Sequence, residues 1–376
     1  MNICGDFYLS QIDSFKLSSR DILGEVFDVF VSSEMNIVNL EAPITTNNTK
    51  IIKTGPHLKH SPAILDFLKN SNINVVTLAN NHILDFGEDG LNHTFQYLNT
   101  NYICKVGAAE NIVSAGKPLK KSIGDSTIAI INICENEWSV ASANKAGTNP
   151  LDVIENVKQI KEAKKYVDFV LVIIHGGHEN YNLPSPRMVK QYRYFAENGA
   201  DMIIGHHSHC FSGYEIYNNV PIFYSLGNFL FALKSKYSSW YTGLILQLSF
   251  KKEVGISWRL IPVQQSQIDF KLSIPTDESA DKILKEVENL SEIIKNESLL
   301  INSWKNFLLE RENSYLANFS FINSIPLKTI RLIFNRMGIS KRINSKRYLS
   351  YLLNMLRCEA HNDISQETIK RYLRDK

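Results

Sequence analysis

The sequence predicts a layered α/β domain followed by a smaller helical region. Through the first two thirds of the chain, short β-branched apolar runs alternate with amphipathic segments, which is the pattern of helices packed on sheets. After about residue 268 glycine almost disappears, since 17 of the 18 glycines lie before residue 256, and apolar residues recur at three- and four-residue spacing. We therefore predict an α/β domain over residues 1–270 and a helical, basic region over residues 271–376.

The individual elements follow from the same patterns. The candidate strands are the short apolar runs at residues 36–40, 74–78, 127–133, 169–174, 202–204, 222–224 and 244–250. The candidate helices of the larger domain are the amphipathic segments at residues 22–32, 62–70, 90–99, 153–166 and 188–198. Most of these helices end close to the start of a strand. Beyond the boundary, residues 277–295 and 299–312 are predicted as helices.

The composition is typical of a soluble globular protein. Of the 376 residues, 44% are hydrophobic and 21% are charged, which excludes disordered, collagen-like and membrane-embedded classes. The longest strongly apolar stretch, residues 169–174, is far shorter than the roughly 20 residues that span a bilayer. The five cysteines are too scattered for a zinc knuckle or a disulfide framework. The first six residues resemble no secretion signal, so we expect a cytoplasmic protein.

The formal net charge of +3 hides an asymmetry. From residue 326 onward there are twelve Lys or Arg against four Asp or Glu, so the tail carries +8 and the rest −5. Lys341, Arg342, Lys346, Arg347 and Arg357 alternate with apolar residues, which predicts helices with one cationic face. An ordinary solvated face is one interpretation, and contact with the inner membrane surface, a synthase or an acidic polymer is the other. No nucleic-acid partner is expected, because no binding module accompanies the charge.

Five strand-like runs end directly in residues that bind metals or move protons. They are Ile3 to Asp6, Val38 to Glu41, Leu78 to His82, Ile173 to Glu179 and Ile203 to His209. Because the carboxyl ends of strands form one rim in open α/β sheets, these residues are expected to converge on a single site. Their oxygen and nitrogen donors suit Mn, Zn, Fe or Mg.

The histidines of the last run leave one choice open. Either His206 or His207 is the ligand beside His209, and we favour His207, because residues two apart point to the same side of an extended segment.

Several motifs, taken together and in this order, resemble one family. They are Gly5-Asp6, Asn39-Leu40-Glu41-Ala42-Pro43, the run from Leu78 to Gly87, His175-Gly176-Gly177-His178-Glu179, Gly205-His206-His207-Ser208-His209 and the run from Tyr224 to Phe231. This pattern resembles the CapA-type capsule-synthesis family, also called the poly-γ-glutamate synthesis PgsA family, of the calcineurin-like metallophosphoesterases. The resemblance covers about residues 1–250. It implies a four-layer sandwich of two mixed β-sheets flanked by helices.

The resemblance also implies roles for particular residues. The implied ligands of one or two divalent metal ions are Asp6, Glu41, Asn81, His175, His207 and His209. His82 is the implied general acid, with Asp85 beside it in a catalytic role. The implied substrate-binding residues are Asn80, His178, Glu179, His206 and Asn228. Two departures stand out: the superfamily's opening Asp-x-His is Asp6-Phe7-Tyr8 here, and Gly176 occupies a position where the family often has Trp.

Each motif also has an interpretation without chemistry. Asp6 alone could cap a helix, Asn80 to His82 could form a tight turn, and Glu41 could be a solvated strand end. The convergence of five strand ends favours the metal site over these alternatives. Ser225 lies in no Gly-x-Ser-x-Gly motif, so a serine hydrolase is not expected.

We therefore expect a metal-dependent, phosphoesterase-like hydrolase in bacterial capsule, surface-polysaccharide or poly-γ-glutamate biosynthesis. Its substrate would be a phosphoester or an anionic polymer. The alternative is a non-hydrolytic, metal-binding accessory subunit of a polymer-synthesis complex. Retention of His82 favours the enzyme, whereas the missing histidine at position 8 favours the accessory role. In a third, weaker interpretation the tail binds the polymer and the site is vestigial.

Overall fold

A computed structural model describes residues 1–9, 18–319, 328–337, 339 and 345–374. Contacts between these residues divide the chain into two compact units, Met1–Ile301 and Asn302–Lys376. Lys341 and Arg342, which contribute to the predicted cationic face, lie outside the described residues.

The strands all belong to the first unit. In chain order they are β1 (Asn2–Tyr8), β2 (Asn36–Leu40), β3 (Val75–Thr77), β4 (Cys104–Val106), β5 (Ala108–Ala109), β6 (Leu119–Ile123), β7 (Ser126–Cys134), β8 (Gly147–Thr148), β9 (Phe169–His175), β10 (Met202–His206), β11 (Tyr214–Tyr217), β12 (Val220–Phe223), β13 (Asn228–Phe231), β14 (Thr242–Lys251), β15 (Gly255–Gln265) and β16 (Leu272–Ser273).

The helices occur in both units. In chain order they are α1 (Ser19–Leu23), α2 (Val26–Val31), α3 (Ile64–Asn70), α4 (Gly87–Thr100), α5 (Ile112–Ala115), α6 (Val153–Lys164), α7 (Pro186–Glu197), α8 (Asp277–Lys295), α9 (Glu297–Asn318), α10 (Lys328–Arg336), α11 (Lys346–Arg357) and α12 (Glu359–Arg374). A short 3₁₀ helix covers Ser238–Tyr241.

Two mixed sheets form the framework of the first unit. The larger has the strand order β16-β15-β14-β1-β2-β3-β4, with β13 pairing in parallel with β1, and the smaller has the order β11-β12-β10-β9-β7-β6. The central strands β1, β2 and β9 are buried along their whole length, as strands covered on both faces must be. Helices α6 and α7 pack on the smaller sheet. The predicted fold class, a metallophosphatase-like sandwich of two mixed sheets with helices, is confirmed.

Parallel pairing aligns the strand ends that matter for function. In the larger sheet β1, β2 and β3 run parallel, and Asp6 lies opposite Asn39. In the smaller sheet β9 and β10 run parallel, and His175 lies opposite His206. Gly5 permits a close approach of β1, because a Cβ there would lie only 1.8 Å from the backbone oxygen of Gly227. The carboxyl ends of these strands therefore point to one edge of each sheet.

One long strand is absent from the sequence-based prediction. β15 pairs with β14 over its whole length and with β16 at its end. It contains Pro262, and a proline inside an apolar run normally argues against a strand because it cannot donate to the ladder. The helix predicted over residues 277–295 corresponds to α8.

Helix α8 packs against β11 and β15, so the compact first unit extends past residue 270 to Ile301. The Tyr214 hydroxyl donates to Glu288 (2.9 Å), and the Tyr214 amide donates to the Ser291 hydroxyl (2.9 Å). A side chain at Gly213 would collide with the backbone of Ser291. The sequence does not show this packing. The scarcity of glycine after residue 255 marks a change in composition but does not indicate which segments are in contact.

In the second unit, α11 packs against α12. The side chain of Ser345 caps α11 by accepting a hydrogen bond from the Tyr348 amide (3.2 Å). No residue of α11 is buried, and the side chains of Tyr351 and Leu356 are more than half exposed. Within the described residues, no helix combines the length and the apolar character needed to cross a bilayer.

Candidate metal centre

The strand ends of the two sheets meet in one buried cluster. Asp6 lies two residues before the end of β1, and His175 ends β9. The other members follow β2, β3 and β10, and they are Glu41, Asn81, His207 and His209. All six are buried. The structure thus brings together all six residues expected to be ligands, although their role in binding metal stays a prediction.

One part of the cluster has four donor groups, and we call it the four-donor position. It consists of Glu41, Asn81, His175 and His207. Nε2 of His175 lies 3.1 Å from Asn81 Oδ1, 3.0 Å from His207 Nδ1 and 3.7 Å from Glu41 Oε1. Two imidazoles, one carboxylate and one amide oxygen facing a common point suit a borderline divalent ion.

The other part has three donor groups, and we call it the three-donor position. Asp6, Glu41 and His209 offer ligand atoms within 4.8 Å of one another. Nε2 of His209 lies 3.8 Å from Glu41 Oε1, the same oxygen that faces His175. Glu41 is therefore shared by the two positions.

The fit of a metal can be tested on Glu41. Both its carboxylate oxygens are buried, and neither has a hydrogen-bond partner among the described residues. Burial raises the pKa of Glu41 well above its usual range, and the nearby charge of Asp6 raises it further. A buried carboxylate without a partner is costly. A divalent cation would supply the missing charge and ligand, so the residues present fit such an ion.

Asp6 and His207 are in the protonation states that metal ligation requires. Burial alone would raise the pKa of Asp6, but the hydrogen bond and charge of His175 hold it well below its usual range. Burial lowers the pKa of His207 well below its usual value, so its ring is neutral at pH 7. An ionised carboxylate and a neutral imidazole are the forms that bind metal.

The two histidines after β10 reach the cluster by a different route from the predicted one. The segment is not extended: it bends directly after His206, and His207 and His209 have φ angles of 90° and 55°. Non-glycine residues in the left-handed region carry backbone strain, which tends to occur at functional sites. This bend, rather than strand alternation, turns both rings toward Glu41, and the alternative ligand His206 remains outside both donor groups.

Asn39 and Asn228 hold the donor groups in place. Asn39 Nδ2 donates to Asp6 Oδ1 (2.7 Å). Nδ1 of His209 lies 2.9 Å from Asn228 Oδ1, and Asn228 Nδ2 donates to the Trp240 carbonyl (3.0 Å). We assign the His209 proton to Nδ1, which leaves Nε2 free to face Glu41. Asn228 therefore orients the His209 ring, and its expected contact with substrate stays a prediction.

The structure also places Asn80 and His206 behind the donor groups. The Asn80 side chain is fully buried, and its Nδ2 donates to the Leu40 carbonyl (2.9 Å) and to Asn39 Oδ1 (3.2 Å). His206 is buried, and burial lowers its pKa to about 4. Both side chains are buried from solvent, and their expected contact with substrate stays a prediction. Of the expected substrate contacts, His178 is half-buried and Glu179 is exposed.

His82 and Asp85 form a pair next to the four-donor position. Nδ1 of His82 lies 2.7 Å from Asp85 Oδ2, and Asp85 is fully buried. Burial lowers the pKa of His82, whereas the hydrogen bond to Asp85 opposes that shift. We assign the hydrogen of this bond to Nδ1, so Nε2 is the atom available to a reacting group. His82 directly follows Asn81 in the chain, so the His82–Asp85 pair lies next to a residue of the four-donor position.

Comparison with known proteins assigns the family. The model of the bacterial capsule synthesis protein PGA_cap family matches residues 1–233, which contain every donor residue described above. The chain belongs to this family. Its fold and the order of its motifs therefore agree with the resemblance seen in the sequence.

Several curated relatives of this PGA_cap protein have names that refer to PGA, capsule or polyglutamine synthesis. The chain is 32% identical over 228 residues to the PGA biosynthesis protein CapA of Bacillus subtilis, covering 60% of each. It is 29% identical over 202 residues to the capsule biosynthesis protein CapA of Bacillus anthracis, covering 51% of this chain and 49% of the relative. A probable polyglutamine synthesis accessory protein of Mycobacterium tuberculosis is 28% identical over 210 residues, covering 52% and 55%. The matches thus span about half to three fifths of these relatives.

Solved structures similar to this PGA_cap protein include two phosphatase-type enzymes. A novel phosphatase from Mycoplasma pneumoniae is 16% identical with a TM-score of 0.39, covering 72% of this chain and 89% of that one. The 5'-nucleotidase from Candida albicans is 11% identical with a TM-score of 0.41, covering 83% and 58%.

Three residues near the centre were missed in the sequence. Asn39 begins the motif Asn39-Leu40-Glu41-Ala42-Pro43. A single sequence cannot distinguish a residue that orients Asp6 from an ordinary residue of the strand. Lys53 lies in a loop, and its ammonium group lies 3.2 Å from His82 Nδ1. The indole ring of Trp240 covers the His209 ring, with centroids 4.6 Å apart. Lys53 and Trp240 follow no strand, so the strand-end argument could not find them.

Tyr8 occupies the position where the resemblance implies the histidine of an opening Asp-x-His. Its side chain is buried and packs against Phe231 and His60, with ring centroids 5.3 Å apart in both cases. Phe231 also packs against His209 of the three-donor position, with ring centroids 5.0 Å apart.

Proposed function

We propose that this PGA_cap protein is a metal-dependent hydrolase that cleaves a phosphoester during the synthesis of a bacterial capsule, polysaccharide or poly-γ-glutamate. The single observation that carries the proposal is the shared Glu41 carboxylate, buried without a hydrogen-bond partner among the described residues and flanked by two donor groups. Family membership supports the biological process.

The residues of the chain divide the work of such a reaction. Divalent ions at the two positions would polarise phosphate oxygens and lower the pKa of a coordinated water to about 7. Asp6, Glu41 and the histidines fix where those ions lie. His82 donates its Nδ1–H to Asp85; as the imidazolium it also carries a proton on Nε2, which it gives to the leaving oxygen, and the ring is left neutral with its hydrogen on Nδ1. Asn228 and Asn39 keep the ligands oriented.

The test is hydrolysis of a phenyl phosphodiester, whose leaving oxygen needs a proton, by the full chain supplied with Mn²⁺. We expect turnover by the native protein and a loss of about 100-fold in kcat for His82→Ala, which is typical of a missing general acid. His361→Ala is the matched control, because His361 is exposed in the second unit. Equal turnover by native protein and His82→Ala would contradict the role of His82.

A second candidate is the non-hydrolytic accessory subunit. Tyr8 favours it, because the three-donor position lacks one histidine. The accessory protein among the relatives from Mycobacterium tuberculosis supports the same candidate. Bound metal without turnover of phosphomonoesters, phosphodiesters or poly-γ-glutamate would support this role over the enzyme.

For the second unit we propose contact with an anionic lipid surface through α11. The three charged residues of α11, Lys346, Arg347 and Arg357, are all cationic, and Leu353 and Leu356 are more than half exposed. Basic amphipathic helices of this kind bind anionic interfaces. The expected location, cytoplasmic at the inner face of the membrane, depends on this contact.

Sedimentation with lipid vesicles tests this contact. The full chain should sediment with phosphatidylglycerol vesicles but not with phosphatidylcholine vesicles, and Leu353→Ser with Leu356→Ser should weaken the binding. Absence of vesicle binding, or retention on poly-γ-glutamate instead, would contradict it.

A further inference from the structure

A loop between β2 and α3 shows an inverted pattern of burial. The Lys53 side chain is only 2% exposed, whereas its apolar neighbour Ile52 is 81% exposed. Burying an ammonium group costs several kcal/mol unless it is paired, and a lysine in a loop ordinarily extends into water. The inward position of Lys53 therefore requires a specific partner.

That partner is Asp85, the residue that orients His82. The Lys53 ammonium forms an ion pair with Asp85 Oδ1 and lies 3.2 Å from His82 Nδ1. The other oxygen, Asp85 Oδ2, accepts the Leu58 amide (2.7 Å) and binds His82 Nδ1 (2.7 Å). Both carboxylate oxygens are thus occupied, one of them by Lys53 alone among the described groups.

The same loop also fixes the backbone around Asp85. The Ile51 amide donates to the Asp85 carbonyl (3.2 Å), and the Leu58 amide reaches its side chain. Lys53 lies between these two anchors in sequence. The loop over residues 51–58 consequently holds Asp85 at its backbone and at both side-chain oxygens.

We propose that Lys53 is a positioning residue for His82: it fixes the Asp85 carboxylate, which in turn holds the Nδ1–H of His82 so that Nε2 faces the reacting group. The doubly protonated ring then donates from Nε2 and is left as the neutral Nδ1–H tautomer. This inference rests on the proposed hydrolase function for its catalytic consequence. Lys53 contacts His82 and Asp85 on the Nδ1 side of the ring, so it acts through them rather than on substrate.

A purely structural role for Lys53 makes different predictions. If the ion pair only anchors the loop, its removal should lower stability and affect all substrates equally. If it acts through His82, its removal should matter most where the leaving oxygen most needs a proton. Removal of Lys53 should also change kcat little in a chain that lacks His82, because the effects of substituting residues that act as a unit are not additive.

The kinetic test compares Lys53→Met and Lys53→Arg in the full, Mn²⁺-loaded chain. Lys59→Met is the matched control, because Lys59 belongs to the neighbouring stretch of chain but donates to the Asn47 carbonyl (2.8 Å) and not to Asp85. We expect Lys53→Met to lower kcat about tenfold for a phenyl phosphodiester, less for a p-nitrophenyl phosphodiester, with KM unchanged. Lys53→Arg should restore most of the rate.

The double variants give the decisive kinetic comparison. In a His82→Ala background, Lys53→Met should lower kcat less than about twofold, since the residue through which Lys53 acts is absent. An equal loss in both backgrounds, or an equal loss for both leaving groups, would overturn the proposal.

A readout that needs no turnover separates this inference from the proposed function. In the zinc-loaded chain with ¹⁵N-labelled histidine, the His82 ring is assigned by comparison with His82→Ala. Native protein and Lys53→Arg should show one Nδ1–H tautomer, and Lys53→Met should show mixed tautomers. An unchanged His82 ring in Lys53→Met would overturn the proposal even if the protein hydrolyses phosphoesters.

Absence of turnover together with the expected NMR change would instead contradict only the hydrolase function. Thermal unfolding identifies a variant that fails to fold. Lys53→Gln then provides a second neutral side chain for the same NMR measurement.

Discussion

The four-donor and three-donor positions share Glu41 but differ in what surrounds it. The four-donor position has two histidines and the Asn81 amide around the shared carboxylate. The three-donor position has Asp6 and His209, with the aromatic rings of Phe231 and Trp240 packed against His209. Because affinity depends on the number and geometry of ligands, the two positions should bind ions of the same metal with different strength. The difference shows that two positions can share one carboxylate and still offer unequal sets of donors.

The largest effect is expected for Glu41→Gln, because this side chain belongs to both positions. The amide keeps the shape but removes the buried negative charge, so both ions should be lost together. We expect metal content after gel filtration to fall at least tenfold, measured by elemental analysis. Glu179→Gln, at an exposed carboxylate, should retain its metal. Loss of only one ion from Glu41→Gln would break the claim that Glu41 is shared.

Substitution of one histidine at each position should separate the two ions. His207→Ala should weaken the four-donor position, and His209→Ala the three-donor position, each by about 10- to 100-fold. Titration calorimetry with Zn²⁺ resolves the two binding steps. The comparison fails if both variants weaken the same step.

A smaller and selective effect is expected for Asn228→Ala. Its Oδ1 holds the Nδ1–H tautomer of His209, so only the three-donor position should weaken, by about tenfold. Asn198→Ala is the control, because Asn198 donates to a helix carbonyl far along the chain from the centre. Equal weakening of both positions by Asn228→Ala would show that it acts on the centre as a whole.

Acidification should weaken both positions in parallel. The raised pKa of Glu41 means that protons compete with metal for this carboxylate as the pH falls, whereas the lowered pKa values keep Asp6 ionised and His207 neutral. Affinity should therefore decrease several-fold between pH 7 and pH 6 at both positions. A decrease at only one position would indicate that an unshared ligand titrates instead.

The sequence was sufficient to predict that these side chains converge. His175 ends a strand, Glu41 and Asn81 follow strands, and parallel pairing brings such ends together. Asp6 lies two residues before the end of β1. The bend at His207 and His209 was not predicted, because non-glycine residues rarely adopt left-handed angles without tertiary contacts that impose them.

Residues that act from a distance in sequence were harder to predict. Lys53 has no neighbouring motif, and only the folded loop shows that its side chain points inward beside Ile52. The packing of α8 on β11 and β15 is likewise a tertiary contact, which the scarcity of glycine after residue 255 does not indicate. Local pattern identifies elements and their ends, whereas contacts between distant segments need the fold.

The most direct test of the two-position centre is the number of Zn²⁺ or Mn²⁺ ions bound per chain and their affinities, measured by calorimetry together with elemental analysis. We expect two ions per native chain that bind in two distinguishable steps. At a metal concentration just sufficient to fill both positions of the native chain, His209→Ala should bind one ion. A single ion in the native protein, or two ions that His209→Ala leaves unchanged, would contradict the account.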